Sequence, residues 1–184
     1  MAEDRLGSLL LQLARDAIGE KFGMTARTFT PLPELHKPGA TFVTLRQSHR
    51  LRGCIGSLTA YRPLLEDVRG NACSAAFADP RFAPLTADEL PATRIEVSLL
   101  TTPEQLHFRD ENHALGLLRP HIDGVVLSAR NCRATFLPQV WEELPQARQF
   151  IAHLKQKAGL PADFWGPDLV LERYQVQKWQ EAFS

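Results

Sequence analysis

The residues best suited to chemistry lie in one short run, in which Cys54 stands between two glycines and follows two arginines. The composition of the run predicts a β-strand, on which every second side chain shares a face. Arg50, Arg52 and Cys54 are therefore expected on one face, with Leu51 and Ile55 on the other. Guanidinium groups near a sulfur can activate a thiol and attract anions. The run predicts a thiol site beside a binding site for a negatively charged group.

Two roles for Cys54 remain open from the residue types alone. Cys54 can be a nucleophile or a redox thiol, and Gly53 and Gly56 would then let a ligand approach the strand or let the strand bulge. Alternatively, Cys54 is a small packing residue, and the glycines allow close packing. Strand geometry does not decide between them.

Charged residues farther along the chain extend the candidate site. Asp79 and Arg81 lie at the predicted end of a helix, where they either pair locally or border a pocket. In an enzyme, Cys54 would be the nucleophile and Arg52 would hold an anionic group of the substrate. Glu96 or Asp79 would relay protons. In the alternative, the arginines form a solvated strand face that pairs with acids such as Glu96.

Motifs of several other kinds of site are absent from the sequence. The six histidines include no pair at the i, i+4 helical spacing and no CxxC pair occurs, so we expect no metal site. The phosphate-binding loops GxxxxGK[ST] and GxGxxG and the hydrolase motif GxSxG are also missing. No motif therefore implies a cofactor.

The overall composition is typical of a globular protein. The 184 residues are 44% hydrophobic and 23% charged, and 21 basic residues balance 21 acidic ones. A net charge of zero argues against non-specific binding of nucleic acid. The sequence contains neither a signal peptide nor an apolar run of about 18 residues, and its three widely spaced cysteines imply no disulfide framework. We expect a cytoplasmic protein that does not contact a membrane.

Hydrophobic periodicity predicts the elements that position these residues. Helices are expected over residues 3–22, 63–77, 111–119 and 145–159, with short helical turns over 86–90 and 138–143. Strands are expected over 40–46 and 50–58, over 94–101, over 124–127 and 133–137, and over 169–179, while the proline-rich segment 28–39 should be irregular. The tight strand pairs form hairpins, which require antiparallel neighbours. The predicted fold is α+β, two-lobed, with mainly antiparallel sheet and flanking helices.

Beyond these patterns, the chain resembles the AMMECR1 family. The run Leu51-Arg52-Gly53-Cys54-Ile55-Gly56 is similar to the signature hexapeptide of that family, and further similar blocks follow in the family's order. These blocks are Arg62–Leu64, Asn71-Ala72, Asp79–Phe82, Glu89-Leu90, Glu96–Leu100, Asp123-Gly124, Ala134–Trp141 and Leu154–Pro161. The resemblance implies one AMMECR1 domain over residues 1–184, built from two subdomains. His121 stands where glycine is expected in similar sequences, which weakens any claim that this loop needs a backbone angle open only to glycine.

The resemblance also implies partners. The compact bacterial or archaeal form belongs to AmmeMemoRadiSam systems, in which it is associated with a Memo-like protein and a radical SAM protein. The family has no established biochemical activity. The resemblance therefore predicts a fold and two partners, and it leaves the reaction open.

Three functions follow from these observations. The favoured one is an enzyme, or a subunit of an enzyme, with a cleft built on the hexapeptide strand and with the two partners above. The second is a non-catalytic binding or adaptor protein for those partners, and a nucleic-acid-binding factor is less favoured. The candidate catalytic residues are Cys54 and Glu96, and the candidate residues for binding a small anionic ligand or a partner are Arg50, Arg52, Gly53, Gly56, Asp79 and Arg81.

Overall fold

A computed structural model describes residues 2–182, with side chains from residue 5 onward. The described chain folds into two compact units. The first unit comprises the described residues up to Leu100 together with those from Gln177 onward, and the second is Thr101–Val176. Each unit contains helices and a sheet with antiparallel pairing. The predicted α+β class is confirmed.

The secondary structure follows the predicted order. The helices are α1 (Ala2–Glu20), α2 (Leu64–Phe77), α3 (Glu111–Leu117) and α4 (Ala147–Lys157), with 3-10 helices at Pro33–His36, Ala87–Ala92 and Pro138–Glu142. The strands are β1 (Pro38–Gln47), β2 (Arg50–Gly56), β3 (Arg62–Pro63), β4 (Arg94–Leu100), β5 (Glu104–Gln105), β6 (Gly124–Ala129), β7 (Cys132–Phe136), β8 (Val170–Tyr174) and β9 (Val176–Gln180). Both predicted hairpins, β1–β2 and β6–β7, are confirmed.

The sheet of the first unit places β2 at an edge. Its strand order is β2-β1-β4-β9, and β3 pairs with the beginning of β1. Helices α1 and α2 pack together against the sheet. The core between them contains fully buried aliphatic side chains, among them Leu10, Val43, Leu45, Val68 and Val97. Because β2 has a neighbouring strand on one side only, the backbone groups on its other side need different partners.

The second unit has its own core and its own sheet, in the order β5-β8-β6-β7. Trp141 stacks on Phe150 with ring centroids 3.8 Å apart, and both side chains are fully buried. The indole N–H of Trp141 donates a hydrogen bond of 2.7 Å to the backbone oxygen of Asp123. Stacking and this hydrogen bond together fix the 3-10 helix that carries Trp141 against the core. None of the helices described has the length and apolar character that a membrane span requires.

Two local predictions about strands are wrong. The strand predicted over 169–179 is in fact two strands, because β8 pairs with β6 in the second unit while β9 lies beside β4 in the first. The proline-rich segment is not irregular throughout, since Pro38 and Gly39 already belong to β1 and pair with β3. Proline is tolerated there because it is the first residue of the strand.

His121 adopts the backbone angle that glycine favours, although it is not glycine. His121 adopts φ = 64°, in the left-handed region that favours glycine. The chain turns sharply here, since the backbone N–H groups of Ile122 and Asp123 both donate to the oxygen of Arg119. The loop before β6 uses the backbone angle that glycine adopts most easily, but the angle is not restricted to glycine, since histidine adopts it at some energetic cost.

Candidate functional site

The backbone of Cys54 lies on the free edge of β2 and is bound there by two side chains. Its N–H donates a hydrogen bond of 2.9 Å to Oδ2 of Asp79, and its carbonyl oxygen accepts one of 3.1 Å from Nη2 of Arg81. These two groups would otherwise be unpaired on an edge strand. Asp79 and Arg81 thus take the place of a neighbouring strand at this one residue.

Asp79 and Arg81 form a bidentate ion pair behind Cys54. Nε and Nη2 of Arg81 donate to the two carboxylate oxygens at 2.9 and 2.7 Å, and the backbone N–H of Arg81 adds a third bond of 3.1 Å. The Asp79 side chain is 2% exposed, whereas that of Arg81 is 54% exposed. Hydrogen bonds from the guanidinium hold the pKa of Asp79 well below its usual range despite burial, and the carboxylate raises the pKa of Arg81. Asp79 is therefore ionised and suited to positioning rather than to proton transfer.

The thiol of Cys54 points away from the helices. Cys54 lies directly opposite Thr44 of β1, and the neighbours of Thr44, Val43 and Leu45, are buried in the core on the other face. The Thr44 hydroxyl donates a hydrogen bond of 3.2 Å to Sγ of Cys54. Cys54 is partly exposed and Thr44 is 7% exposed. The direction of the thiol is thereby defined by both its backbone and its side-chain contacts.

Glu96 lies on the same sheet face as Cys54, two strands away across the sheet. Thr44 is paired with Cys54 on one side and with Glu96 of β4 on the other. Two strand spacings separate the Cα atoms of Cys54 and Glu96, a distance of about 10 Å. Oε1 of Glu96 pairs with Nζ of Lys178 at 3.3 Å. The structure thus brings Glu96 to the face of the thiol, with Thr44 between the two residues.

The predicted facing of Arg50 is wrong because β2 contains a bulge. The pairing register with β1 shifts between Leu45 and Arg46, which leaves Arg52 as an extra residue in β2. A bulge of one residue interrupts the alternation of side chains. Arg50 and Cys54 consequently lie on opposite faces of the sheet instead of on the same one.

Arg52 is bound to another part of the first unit. Its Nε and Nη2 donate to the Glu89 carboxylate at 2.9 and 3.0 Å, and its Nη1 donates to the oxygen of Ala83 at 2.9 Å. Hydrogen bonds from Arg52, and next from the backbone N–H of Thr86, lower the pKa of Glu89 to about 2. The charge of Arg52 is therefore balanced by Glu89, and its side chain, 15% exposed, joins β2 to the 3-10 helix that Thr86 precedes.

Arg50 and Arg52 both line a cavity of about 490 Å³ at the end of the β1–β2 hairpin, together with Gln47, Ser48 and Leu51. The hairpin turn itself has positive φ at both central residues, 45° at Ser48 and 67° at the next residue. Such a turn matches the twist of the strands, although it favours asparagine and glycine. The cavity is the place where the predicted anion-binding arginines meet.

The structure provides a packing reason for both glycines of the hexapeptide. A Cβ on Gly53 would lie 2.1 Å from the backbone oxygen of Ala75 in α2. A Cβ on Gly56 would lie 2.3 Å from the ring of Phe42. The space that a side chain would need at each position is filled by protein atoms. Gly53 lets α2 approach β2, and Gly56 lets an aromatic ring lie across the strand.

Sequence reasoning missed a buried polar network beside this site. Asp67, which is fully buried, accepts hydrogen bonds from the Thr41 backbone and hydroxyl, from Ser57 and from Arg62, at 2.7–2.8 Å. The Asn71 amide donates to Asp67 at 3.0 Å and also to Ser57. A signal was present, because Asp67 and Asn71 stand four residues apart on the apolar face of the predicted helix. The network ties α2 to β1 and to the segment after β2.

The site as a whole is a partly exposed thiol on an edge strand, held by an arginine–carboxylate pair at its backbone and by a hydroxyl at its sulfur. Within residues 5–182, the structure contains no group of three or more His, Cys, Asp or Glu side chains that could hold a metal ion. The arrangement can present sulfur to an electrophile in one orientation. It defines an α+β protein with a positioned thiol.

Comparison with known proteins identifies the family. The chain belongs to the AMMECR1 family, whose model matches residues 11–179. A protein of Methanothermobacter thermautotrophicus is 36% identical over 180 residues, which cover 95% of this chain and 94% of that protein. A protein of Sulfolobus acidocaldarius is 35% identical and covers 95% of this chain and 78% of its own length. The crystal structure of the uncharacterized protein PH0010 from Pyrococcus horikoshii superposes with a TM-score of 0.77 at 32% identity, covering 96% of this chain and 92% of that one.

Proposed function

We propose that this AMMECR1-family chain is an enzyme, or a subunit of an enzyme, in which the Cys54 thiol acts as a nucleophile. The observation that carries the proposal is the number of contacts that fix one cysteine. Its backbone N–H and carbonyl oxygen are bound by Asp79 and Arg81, it lies opposite Thr44 of β1, and its sulfur accepts a hydrogen bond from the Thr44 hydroxyl. Catalysis by a nucleophile requires this kind of fixed orientation.

Each neighbour of Cys54 has a distinct part in the proposal. Asp79 and Arg81 are positioning residues, because their contacts with Cys54 are made through its backbone. The Thr44 hydroxyl orients the sulfur. Glu96 is the candidate proton acceptor on the same face, and a proton passing from Cys54 to Glu96 would have to pass beside Thr44, which lies between the two residues. Arg52 supports β2 by pairing with Glu89 rather than by facing the sulfur.

Site-resolved alkylation tests the reactivity of the thiol. The native protein is treated with iodoacetamide over a range of pH, and the modification of each cysteine is followed by mass spectrometry. Cys54 should react faster than Cys73, because burial raises the pKa of the Cys73 thiol. Cys132, which is also partly exposed, is the second internal comparison. A Cys54 that reacts no faster than either of them, or than a free cysteine peptide, would overturn the proposal.

Two variants separate positioning from mere exposure. Thr44→Val keeps the shape of the side chain but removes the hydroxyl that donates to sulfur, so we expect slower alkylation of Cys54 at neutral pH. Glu96→Gln removes the candidate proton acceptor and should change the pH profile of alkylation without unfolding the protein. Unchanged rates of Cys54 alkylation in both variants would show that neither Thr44 nor Glu96 assists the thiol, and this result would contradict the proposal.

A second candidate function is ligand binding without catalysis, and the cavity lined by Arg50 and Arg52 supports it. In this alternative, the cavity binds a small anionic ligand or a partner, and Cys54 is a packing residue. The partners proposed from the family resemblance are a Memo-like protein and a radical SAM protein. Co-purification with each partner tests the alternative, and Arg50→Gln should weaken the association while Cys54→Ser should not. Loss of association in Cys54→Ser alone would instead favour the thiol.

A further inference from the structure

The second unit contains a polar cavity of about 330 Å³ that is lined by none of the residues of the Cys54 site. It is lined by Arg119 and Arg173, by Thr101 and Thr102, and by Glu104, Tyr174 and Gln175. A volume of this size lies at the lower end of the range for small-molecule sites. All of these residues belong to Thr101–Val176.

Arg173 is placed unusually for an arginine. In the β6–β8 pairing it lies opposite Val125, a fully buried residue, and two residues from Leu171, which is also fully buried. Its Nη1 donates a hydrogen bond of 3.3 Å to the oxygen of Leu117, the last residue of α3. Its Nε is buried and, among the residues described, has no hydrogen-bond acceptor. A buried donor without an acceptor is unfavourable, so a ligand group that accepts from it gains affinity. The Arg173 side chain as a whole is 29% exposed, so it can be reached from the cavity.

Two further donors belong to the same cavity. Asp123 accepts hydrogen bonds from Nε and Nη2 of Arg119, so Nη1 of Arg119 takes no part in this ion pair. The Arg119 side chain is 44% exposed. The Thr101 hydroxyl oxygen accepts a hydrogen bond of 2.8 Å from the Gln175 backbone N–H. Because this bond uses the oxygen, the hydroxyl hydrogen of Thr101 can be donated to a ligand.

We propose that this cavity binds a small molecule through an oxyanion, a carboxylate or a phosphate, held by Arg173 and Arg119 with a contribution from Thr101. Guanidinium groups match both kinds of oxyanion through paired N–H donors. Glu104 is the acidic residue among those that line the cavity, and Asp123, which is fully buried, is bound to Arg119 behind it. The Glu104 carboxylate is 76% exposed and lies 4.0 Å from Nε of Arg173, so it competes with the ligand for that donor.

Calorimetric titration of the full chain tests this site. One arm uses inorganic phosphate and the other uses succinate, both at constant ionic strength, and the arm that shows saturable binding identifies the class of oxyanion. Arg173→Gln should weaken binding by about tenfold or more, since it removes a charged donor. Glu104→Gln should strengthen binding by roughly two- to fivefold, because an exposed competing carboxylate is removed.

The variants also guard against a trivial explanation. Arg148→Gln removes an exposed arginine of the same unit that pairs with Asn112 and Glu111 and does not line the cavity, so it should bind normally. If Arg173→Gln fails to fold, the gain expected in Glu104→Gln still decides the question. Absence of saturable binding in both arms overturns the inference, as does unchanged or weakened binding in Glu104→Gln. Binding lost in Arg50→Gln instead would place the anion in the hairpin cavity and would equally overturn it.

The site is independent of the function proposed for Cys54. Cys54→Ser should leave the titration unchanged, because the thiol belongs to the first unit. An unreactive Cys54 would therefore refute the proposal that Cys54 is a nucleophile but would not affect the proposed oxyanion site. Absence of anion binding would refute the oxyanion site but would not affect the proposal for Cys54.

Discussion

Replacing Asp79 with alanine tests how the edge of β2 is held. The substitution removes the acceptor of four hydrogen bonds, one from the Cys54 backbone and three from Arg81. The Asp79 side chain is 2% exposed, so water reaches this position poorly in the folded protein. The Cys54 N–H is then left without its charged acceptor.

The expected loss can be estimated from these contacts. A hydrogen bond to a charged acceptor contributes about 1.5–3 kcal/mol. The Arg81 guanidinium is 54% exposed and is hydrated once its partner is gone, so its ion pair contributes no more than about 1 kcal/mol. We expect Asp79→Ala to lower the free energy of unfolding by about 2–4 kcal/mol at pH 7.

The effect should depend on pH in a defined direction. Hydrogen bonds from Arg81 lower the pKa of Asp79 in the folded protein, so the ionised carboxylate stabilises the fold. This contribution is fully present above the unfolded pKa of about 3.9 and is lost as the pH falls through the folded pKa. The difference between the wild type and Asp79→Ala should therefore be constant near neutral pH and shrink below about pH 4.

Urea unfolding followed by far-ultraviolet circular dichroism, repeated over a series of pH values, measures this difference. Asp88→Ala is the control, because Asp88 is an exposed aspartate of the same unit and should cost less than about 0.5 kcal/mol. An Asp79→Ala variant as stable as the control would refute the role of Asp79. So would a difference that persists unchanged to the lowest pH at which the protein is folded.

Three further predictions concern single residues. Gly53→Ala should lower the free energy of unfolding by about 3 kcal/mol, because its Cβ would meet a backbone atom of α2. Gly116→Ala is the control, since a Cβ there meets open space in α3 and should raise the free energy of unfolding by roughly 0.5–1 kcal/mol. Urea unfolding compares the two variants. Glu89→Gln should remove only the Glu89 share of the stability that the wild type loses as the pH falls from about 4 to about 2, because the pKa of Glu89 is lowered to about 2 and its ionised form stabilises the fold. The share due to Asp79 should remain, and acid unfolding of the variant that follows the wild-type curve would contradict this prediction. Burial raises the pKa of Tyr174 to about 12, so in a Tyr61→Phe background, where Tyr174 is the only tyrosine left, the phenolate absorbance should appear near pH 12, and an earlier rise would show that Tyr174 is accessible.

Much of the fold could be predicted because its signals are local. Helix α1 extends from Ala2 to Glu20 where apolar spacing predicts residues 3–22, and both hairpins lie where alternating strands flank short turns. The closing segment shows the limit of such signals. A pattern of β-forming residues continues through β8 and β9, and nothing in it marks Gln175 as the point between strands of two different sheets.

The candidate site was predicted in part. The sequence alone singled out Cys54, and it also named Asp79 and Arg81, which the structure brings to the backbone of that cysteine. It placed Arg50 on the same face as the thiol, and there the prediction failed, because the structure puts Arg50 on the opposite face. A one-residue bulge cannot be recognised from alternation, because it depends on the register of the partner strand.

The residue types, the order of the helices and strands, and the presence of a cysteine between glycines were determined by the sequence itself. Only the tertiary structure decided what each charge does. Arg52 meets Glu89 across 37 residues, Cys54 meets Asp79 across 25, and the buried Asp67 gathers donors from three separate segments. Local spacing determines helices and strands because their hydrogen bonds join near neighbours or adjacent strands. Charged side chains choose partners by proximity and burial in the folded chain, and neither is visible before the core has formed.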